Sequence, residues 1–511
     1  MATRRPHPSN GEPSNNNQSD DVSDQSPPAS KKFKKGKSQP VVKMLQEWAT
    51  DFGCSINDLV FARSMDSRDT LKDVRNDFML PKMQELPNVD LSLVNSPTEE
   101  CIYMCGNSLG LQPKGVKKYI DNELKKWAQM GVHGHLNGDL PWALCDERVT
   151  TDMAKLVGAK ESEVACMNGL TVNLHLMMVS FYRPTKERYK ILIEKHAFPA
   201  DHYAVESQIR LQGYDPKTSI IQAKPRPGEH TLVTEDILNL LEQEGSSIAL
   251  VLFSGVQYYT GQFFDIRRIT KAGHSKGCMV GWDLAHAIGN VPIKLNRWDV
   301  DFAVWCTYKY VNSGAGALAG AFLHEKHDRN DFPKLLGWWG HRMETRFDMN
   351  NEMELSPGIS GYRISNPSIM AVCPIRASLD IFNQTSVERL RMKSKALTGY
   401  LEHLINTNFS KCVDVETSPS GRATVEIITP SDPEERGAQL SLLFSSNIEN
   451  IHKELMKRGV CCDERKPNVL RIAPAPLYNN FEDVWRFNQA LHDAVNAAYE
   501  MEKVNDGSEI D

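Results

Sequence analysis

Residues 279–320 read MVGWDLAHAIGNVPIKLNRWDVDFAVWCTYKYVNSGAGALAG, and this stretch sets the architecture. An apolar run from Met279 to Trp282 ends on Asp283, and His286 follows at once. A second run, Phe302 to Trp305, leads into Thr307-Tyr308-Lys309 and then into the small residues Ser313, Gly314, Ala315 and Gly316. Short apolar runs bounded by turn residues predict buried strands of a mostly parallel α/β sheet. Ligands of such sheets bind at the carboxyl ends of the strands. A carboxylate, an imidazole and an amine are therefore expected at one edge, on neighbouring strands.

That trio has a definite chemical use. Pyridoxal phosphate forms a Schiff base with a lysine and needs a carboxylate on its ring nitrogen to keep the pyridinium charged. An Asp at one strand end and a Lys roughly 25 residues later at the next is the spacing expected of that pair. An Asp capping a helix and a Lys on a solvated loop is the plainer alternative. The aromatic and small residues around Lys309 weigh against it.

The segments Asp283-Leu284-Ala285-His286-Ala287-Ile288-Gly289-Asn290, Trp305-Cys306-Thr307-Tyr308-Lys309-Tyr310 and Gly314-Ala315-Gly316 resemble the kynureninase family. These are pyridoxal phosphate enzymes of the class V aminotransferase superfamily. The resemblance runs from about residue 45 to about residue 500. It implies fold type I: a large domain with a mostly parallel sheet flanked by helices, plus a smaller α/β C-terminal domain. It also implies a homodimer with active sites at the subunit interface.

Composition sets outer bounds. The chain has 511 residues, 41% hydrophobic and 24% charged, with a net charge of −6. Nothing global favours nucleic acid or an anionic membrane. No apolar run approaches the length that crosses a bilayer, and the N-terminus lacks the apolar core of a signal peptide, so a cytoplasmic protein is expected. Eleven Cys without CxxC pairs predict reduced thiols, with neither a disulfide framework nor a metal site.

Residues 1–40, rich in Ser, Pro, Asn and Gln, read as a disordered tail. The cluster Lys31-Lys32-Phe33-Lys34-Lys35-Gly36-Lys37 reads as part of a solvated tail, with a nuclear address or a nucleic-acid patch as the alternatives. Residues 41–100 form an N-terminal helical segment, with helix expected over 41–75. The large domain is assigned to 101–370 and the small one to 371–505. Within the large domain, Gly106-Asn107-Ser108-Leu109-Gly110 is a turn with exposed N–H groups, and the resemblance sets Ser108 near the cofactor phosphate. The loop at 131–135 holds two histidines without a third metal ligand at suitable spacing. The resemblance sets His135 near the substrate's aromatic ring.

Asn168-Gly169-Leu170-Thr171 opens an apolar helix, whose first-turn N–H groups suit a phosphate. An ordinary helix cap is the alternative; by resemblance, Leu170 and Thr171 bind phosphate. A strand over 189–194 is followed by Phe198-Pro199-Ala200-Asp201. Phe198 suits stacking on a pyridine face, and Pro199, Ala200 and Asp201 match cofactor-contacting positions. The family often has Ser where this chain has Ala200, so only a backbone contact survives there. Thr234 is read as capping a helix that stops at Gly245, and the strand from Ile248 to Phe253 ends at Ser254. A Ser hydrolase would want G-x-S-x-G, which Phe253 and Gln257 break; Ser254 is read as a cofactor contact.

Asp283, His286, Tyr308 and Lys309 form the expected core of the site, with another strand over 317–323. Trp338 and Trp339, in a glycine-rimmed loop, are expected to be exposed. By resemblance, Trp338 reaches the phosphate of the neighbouring subunit. Asn366 contacts the cofactor and Ser365 the substrate's aryl end. In the small domain, helices are expected over 375–383 and 387–404, around 448–455 and from Asn480. Arg471, at a strand end between apolar residues, suits a carboxylate clamp, with a structural ion pair as the alternative. The family uses it for the substrate α-carboxylate.

The resemblance implies hydrolysis of L-kynurenine or L-3-hydroxykynurenine to anthranilate or 3-hydroxyanthranilate plus L-alanine. That reaction belongs to tryptophan catabolism and pyridine nucleotide biosynthesis. Lys309 is the expected base, and Tyr308 is a candidate for activating the water. A cysteine desulfurase would need a nucleophilic Cys, but Cys373, Cys461 and Cys462 sit in apolar contexts. A retired site that binds nucleic acid through the tail would have no use for both Asp283 and Lys309.

Overall fold

The computed structural model describes residues 39–409, 423–446 and 448–505. The basic cluster at 31–37 lies outside the described residues. The principal sheet has seven strands: β1 (Val164–Met167), β2 (Lys190–Glu194), β3 (Ile220–Ala223), β4 (Ile248–Ser254), β5 (Met279–Asp283), β6 (Phe302–Trp305) and β7 (Ala319–Leu323). Their spatial order is β1-β7-β6-β5-β4-β2-β3. Strands β3, β2, β4, β5 and β6 run parallel, and β7 is antiparallel to both its neighbours. The two apolar runs that opened the sequence reading are thus adjacent parallel strands, with Asp283 opposite Val304.

Alternation along each strand explains the layering. Ile191, Ile193, Phe302 and Val304 face one core with the helix Leu170–Phe181. Leu192, Ala303 and Trp305 face the other. With both faces covered, the strands read as continuous apolar runs. Two glycines set the local spacing. A Cβ on Gly281 would lie 2.1 Å from the Phe302 ring, and one on Gly320 would lie 2.2 Å from Trp305. Both glycines stand directly across a ladder from those aromatics.

A third core joins the N-terminal helices Gln39–Phe52 and Leu59–Arg68 to the helices Val387–Asn408 and Phe481–Asn505. Phe61 and Phe481 both pack on the Tyr400 ring, at 5.4 and 5.8 Å. The same core lines an antiparallel sheet of β8 (Val425–Ile427), β9 (Leu440–Phe444), β10 (Asp463–Arg465) and β11 (Val469–Ile472), in the order β8-β9-β11-β10.

Several element boundaries differ from expectation. The helical stretch expected over 41–75 breaks at Gly53, whose φ of 66° only glycine adopts freely. The helix expected from Ile375 begins at Ile369 and runs through Pro374, a residue that ordinarily marks a helix end. Thr234 is the first helical residue instead of the cap, and Val233 precedes it without a side-chain cap bond. Asn480 does cap its helix, its side chain accepting from the Asp483 N–H at 2.8 Å.

Candidate active site

The carboxyl ends of the parallel strands meet in a cavity of about 510 Å³, its open mouth included. Each strand end delivers one reactive side chain. Strand β5 ends on Asp283, whose Oδ1 accepts the Ala285 N–H at 2.7 Å. The tight turn after it carries His286. Beyond β6, Tyr308 and Lys309 line the same cavity. At the end of β2 the chain reverses through His196, with φ of 62°. Phe198 then opens the helix Pro199–Leu211, whose first turn holds Asp201.

The electrostatics are those of charges buried at the cavity floor. Lys309 Nζ lies 3.0 Å from His286 Nε2. Burial, and then the Lys309, Arg471 and Arg465 cations, hold the His286 imidazole well below its ordinary range. It is therefore neutral and accepts from the lysine amine. Asp201 and Asp283 both line the cavity, and the charge of one acts on the other. Burial raises both carboxyls, and the charge of Asp283 pushes Asp201 well above the usual range. Two buried carboxyls acting on each other in this way disfavour a second negative charge. Burial also pushes the Tyr308 phenol up, which favours its protonated form.

The residues fit pyridoxal phosphate. The acid pair suits a ring nitrogen, and the partly exposed Phe198 ring lies 5.8 Å from Lys309 Nζ. The first turn of the helix Leu170–Phe181 begins at Gly169 with no side-chain cap bond. Its N–H groups, with Thr171 at the cavity wall, are available to a phosphate. Two buried polar atoms, Asp201 Oδ1 and His286 Nδ1, have no protein partner. Ala200 lines the cavity without a hydroxyl, and Pro199 starts the helix. Ser254 lines it too, but its Oγ donates to Glu194 at 2.5 Å.

Other expected site residues lie outside this cavity. Ser108 is half-buried in a turn that docks on the lysine loop, the Gly110 N–H donating to the Tyr308 carbonyl at 2.8 Å. His135 is exposed on a short 3₁₀ turn, edge-on to Trp142 at 5.3 Å. Ser365 and Asn366 are exposed. Trp338 is 49% exposed and donates to the Arg346 carbonyl at 3.0 Å. Trp339, expected to be exposed beside it, is buried, with the Arg346 guanidinium 4.4 Å over its ring.

Arg471 already holds a carboxylate. Its Nη2 pairs with Asp463 and its Nη1 donates to the Tyr258 carbonyl at 2.7 Å. Only Nε lacks a partner, so in this structure the ion-pair alternative describes the guanidinium. Asp463 also pairs with Arg465, at 3.1 Å.

Sequence reading missed Tyr258 and Val256 in the cavity wall, and Glu194 behind Ser254. Glu194 had a signal: it ends an apolar strand as Asp283 does. Among the described residues, no group of three or more His, Cys, Asp or Glu could hold a metal ion. No cysteine lines the cavity, and the ten described cysteines are free thiols. No described helix is long and apolar enough to cross a membrane.

Comparison with known proteins agrees with this geometry. Residues 109–431 match the class-V aminotransferase family, and residues 390–491 match the kynureninase C-terminal domain. Kynureninase of Rattus norvegicus is 54% identical over 443 residues, covering 87% of this chain and 94% of that protein. Kynureninase of Homo sapiens is 53% identical over 454 residues, covering 89% and 97%. A cysteine desulfurase from Thermococcus onnurineus superposes with a TM-score of 0.64 at 15% identity, over 83% of this chain and 98% of that one; this likeness is one of fold. With identity above half across nearly the whole length of its relatives, the chain belongs to the kynureninase family, on a class V aminotransferase fold.

Proposed function

We propose that the chain is a pyridoxal phosphate-dependent hydrolase that cleaves L-kynurenine, or L-3-hydroxykynurenine. The products are anthranilate, or 3-hydroxyanthranilate, and L-alanine, in tryptophan catabolism and pyridine nucleotide biosynthesis. One observation carries the reading. An amine, a neutral imidazole and two acids line one cavity in a chain of the kynureninase family.

When bound, pyridoxal phosphate supplies an electron sink conjugated to the substrate α-carbon. Thr171 and the uncapped N–H groups of the helix Leu170–Phe181 would receive its phosphate. Phe198 would stack on its ring. Asp283, backed by Asp201, would hold the ring nitrogen protonated. Lys309 anchors the group and then serves as the base and acid at the substrate carbons. His286, accepting the Lys309 N–H, orients that amine. Tyr308 retains its proton and donates to the substrate's ketone oxygen as water adds. Arg471 offers Nε to the α-carboxylate while Asp463 holds its other end.

His135, Ser365, Asn366, Trp338 and Ser108 are assigned to the cavity of a second copy. The exposure of His135, Trp338, Ser365 and Asn366, and of the apolar Leu335 and Leu336, supports a homodimer with shared sites. A cytoplasmic location goes with this reading.

The test is the fluorescence of released anthranilate when the protein, pyridoxal phosphate and L-kynurenine are mixed. A steady rise is expected, abolished by reducing the protein-bound cofactor with borohydride. Absence of turnover on both kynurenine and its 3-hydroxy form, with cofactor bound, sinks the substrate assignment and leaves the fold standing.

A further inference from the structure

Glu194 is a charge-bearing group that the mechanism above does not use. It ends β2 with 2% of its surface exposed. Its carboxylate receives the Ser254 hydroxyl at 2.5 Å and the Ser254 N–H at 3.4 Å. Ser254 in turn stands directly opposite Asp283 in the β4–β5 ladder. Glu194, Ser254 and Asp283 thus form a row across three adjacent strand ends, immediately behind the cavity.

Among the described residues no cation is paired with Glu194. Ser254 donates to it from the neighbouring strand, and the charged groups facing it are Asp283 on β5 and Asp201 on the helix Pro199–Leu211. Tyr258 faces it from the loop after β4. Lys309, with His286 beside it, acts on Asp201 and Asp283 within the cavity. A buried carboxylate without an ion-pair partner is expensive, and such groups gather where a site uses their charge.

Resting on the cofactor reading above, we propose that Glu194 is a positioning residue for the ring-nitrogen proton. As a carboxylate behind Ser254 it holds that proton on the Asp201–Asp283–pyridine assembly, and its own protonation releases the hold. The Ser254 hydroxyl, its hydrogen committed to Glu194, meets the ligand only as an acceptor. Burial foremost raises the Glu194 carboxyl to about 7, so the group changes charge near neutrality. Above that pH its charge is present; below it, wild type resembles the neutral glutamine variant.

The test compares two ligands that differ at one atom: pyridoxal phosphate and its analogue with the ring nitrogen replaced by C–H. Their affinity ratio isolates the nitrogen, because phosphate and ring stacking cancel. Wild-type protein that binds neither ligand sinks the cofactor reading itself. Given binding, Glu194→Gln is expected to cut the preference for pyridoxal phosphate about tenfold at pH 8.5, the equivalent of one pKa unit. At pH 5.5 it is expected to leave the preference unchanged.

Stability of the protein without cofactor gives a second readout. A raised carboxyl contributes stability below its unfolded pKa that is lost as pH rises through the folded one. Glu194→Gln is therefore expected to lose less thermal stability than wild type between pH 5.5 and 8.5. Equal weakening of both ligands at both pH values would overturn the proposal in favour of a packing role. If Glu194→Gln does not fold, Ser254→Ala keeps the charge and removes its donor. The pH at which the preference changes should then move up, and an unmoved midpoint counts against the proposal.

Discussion

The floor of the cavity and its rim are built on different principles. The floor residues, Asp283, His286, Tyr308 and Lys309, leave the ends of strands that are hydrogen-bonded on both sides and buried on both faces. They are brought together within one chain. The rim residues, His135, Trp338, Ser365 and Asn366, sit on short 3₁₀ turns or exposed loops, and none lines this chain's own cavity. A group that performs proton transfer needs placement within tenths of an ångström, which a sheet provides. A group that closes the site over a substrate can come from a surface, including the surface of another copy.

Breaking the floor should be costliest. Lys309→Ala is expected to lower turnover about 10³-fold or more and to remove the visible absorbance of covalently held cofactor. Retained absorbance would mean that another lysine anchors it. Next comes the support of the floor. Gly281→Ala forces a methyl into the Phe302 ring, and overpacking of this kind costs about 1–3 kcal/mol. Denaturant unfolding should show that loss together with a parallel loss of cofactor.

The rim should behave in the opposite way. Trp338→Ala is expected to change stability by no more than about 0.5 kcal/mol while weakening cofactor binding roughly tenfold, about the worth of one good hydrogen bond to a charged group. Mixing the Lys309→Ala and Trp338→Ala proteins sharpens this. In a dimer that shares sites, each mixed pair holds one intact cavity, so at cofactor concentrations too low to load the Trp338→Ala protein, activity should recover toward about a quarter of wild type. Failure to recover, in mixtures shown to exchange subunits, would return the rim to its own chain.

The smallest effect belongs to the opposite edge of the sheet. Asp301, just before β6, is buried, which alone would raise its carboxyl. His274 and His327, each at 2.9 Å, outweigh that and hold it below the usual range. Its contribution to stability is present above the ordinary carboxylate pKa of about 4 and is lost as pH falls below it. Asp301→Asn should therefore flatten the acid limb of a melting-temperature profile and leave turnover at neutral pH unaltered.

The floor was legible in the sequence for a physical reason. A buried strand is an uninterrupted apolar run, so a polar residue at its end is conspicuous, and Asp283 and Lys309 stand out in this way. Glu194 ends a run of the same kind, but its partner Ser254 lies 60 positions further on, and nothing in the sequence joins the two. The state of Arg471 was not legible. Its partner Asp463 faces it across the β10–β11 ladder, and pairing across antiparallel strands leaves no periodic mark. Nor was the contrast between Trp338 and Trp339. Adjacent residues of one turn point to opposite environments, and only the Arg346 side chain over one ring separates them.

The double coverage of β4, β5 and β6 has a consequence for isotope labelling. Amides in strands paired on both sides exchange with deuterated solvent only through the largest opening events, while short exposed turns exchange through local fraying. Labelling should therefore reach the turns around His135 and Trp338 early and the strands bearing Ser254 and Asp283 last. On gradual denaturation the protein would then lose its grip on the substrate's far end while its reacting centre still stood assembled.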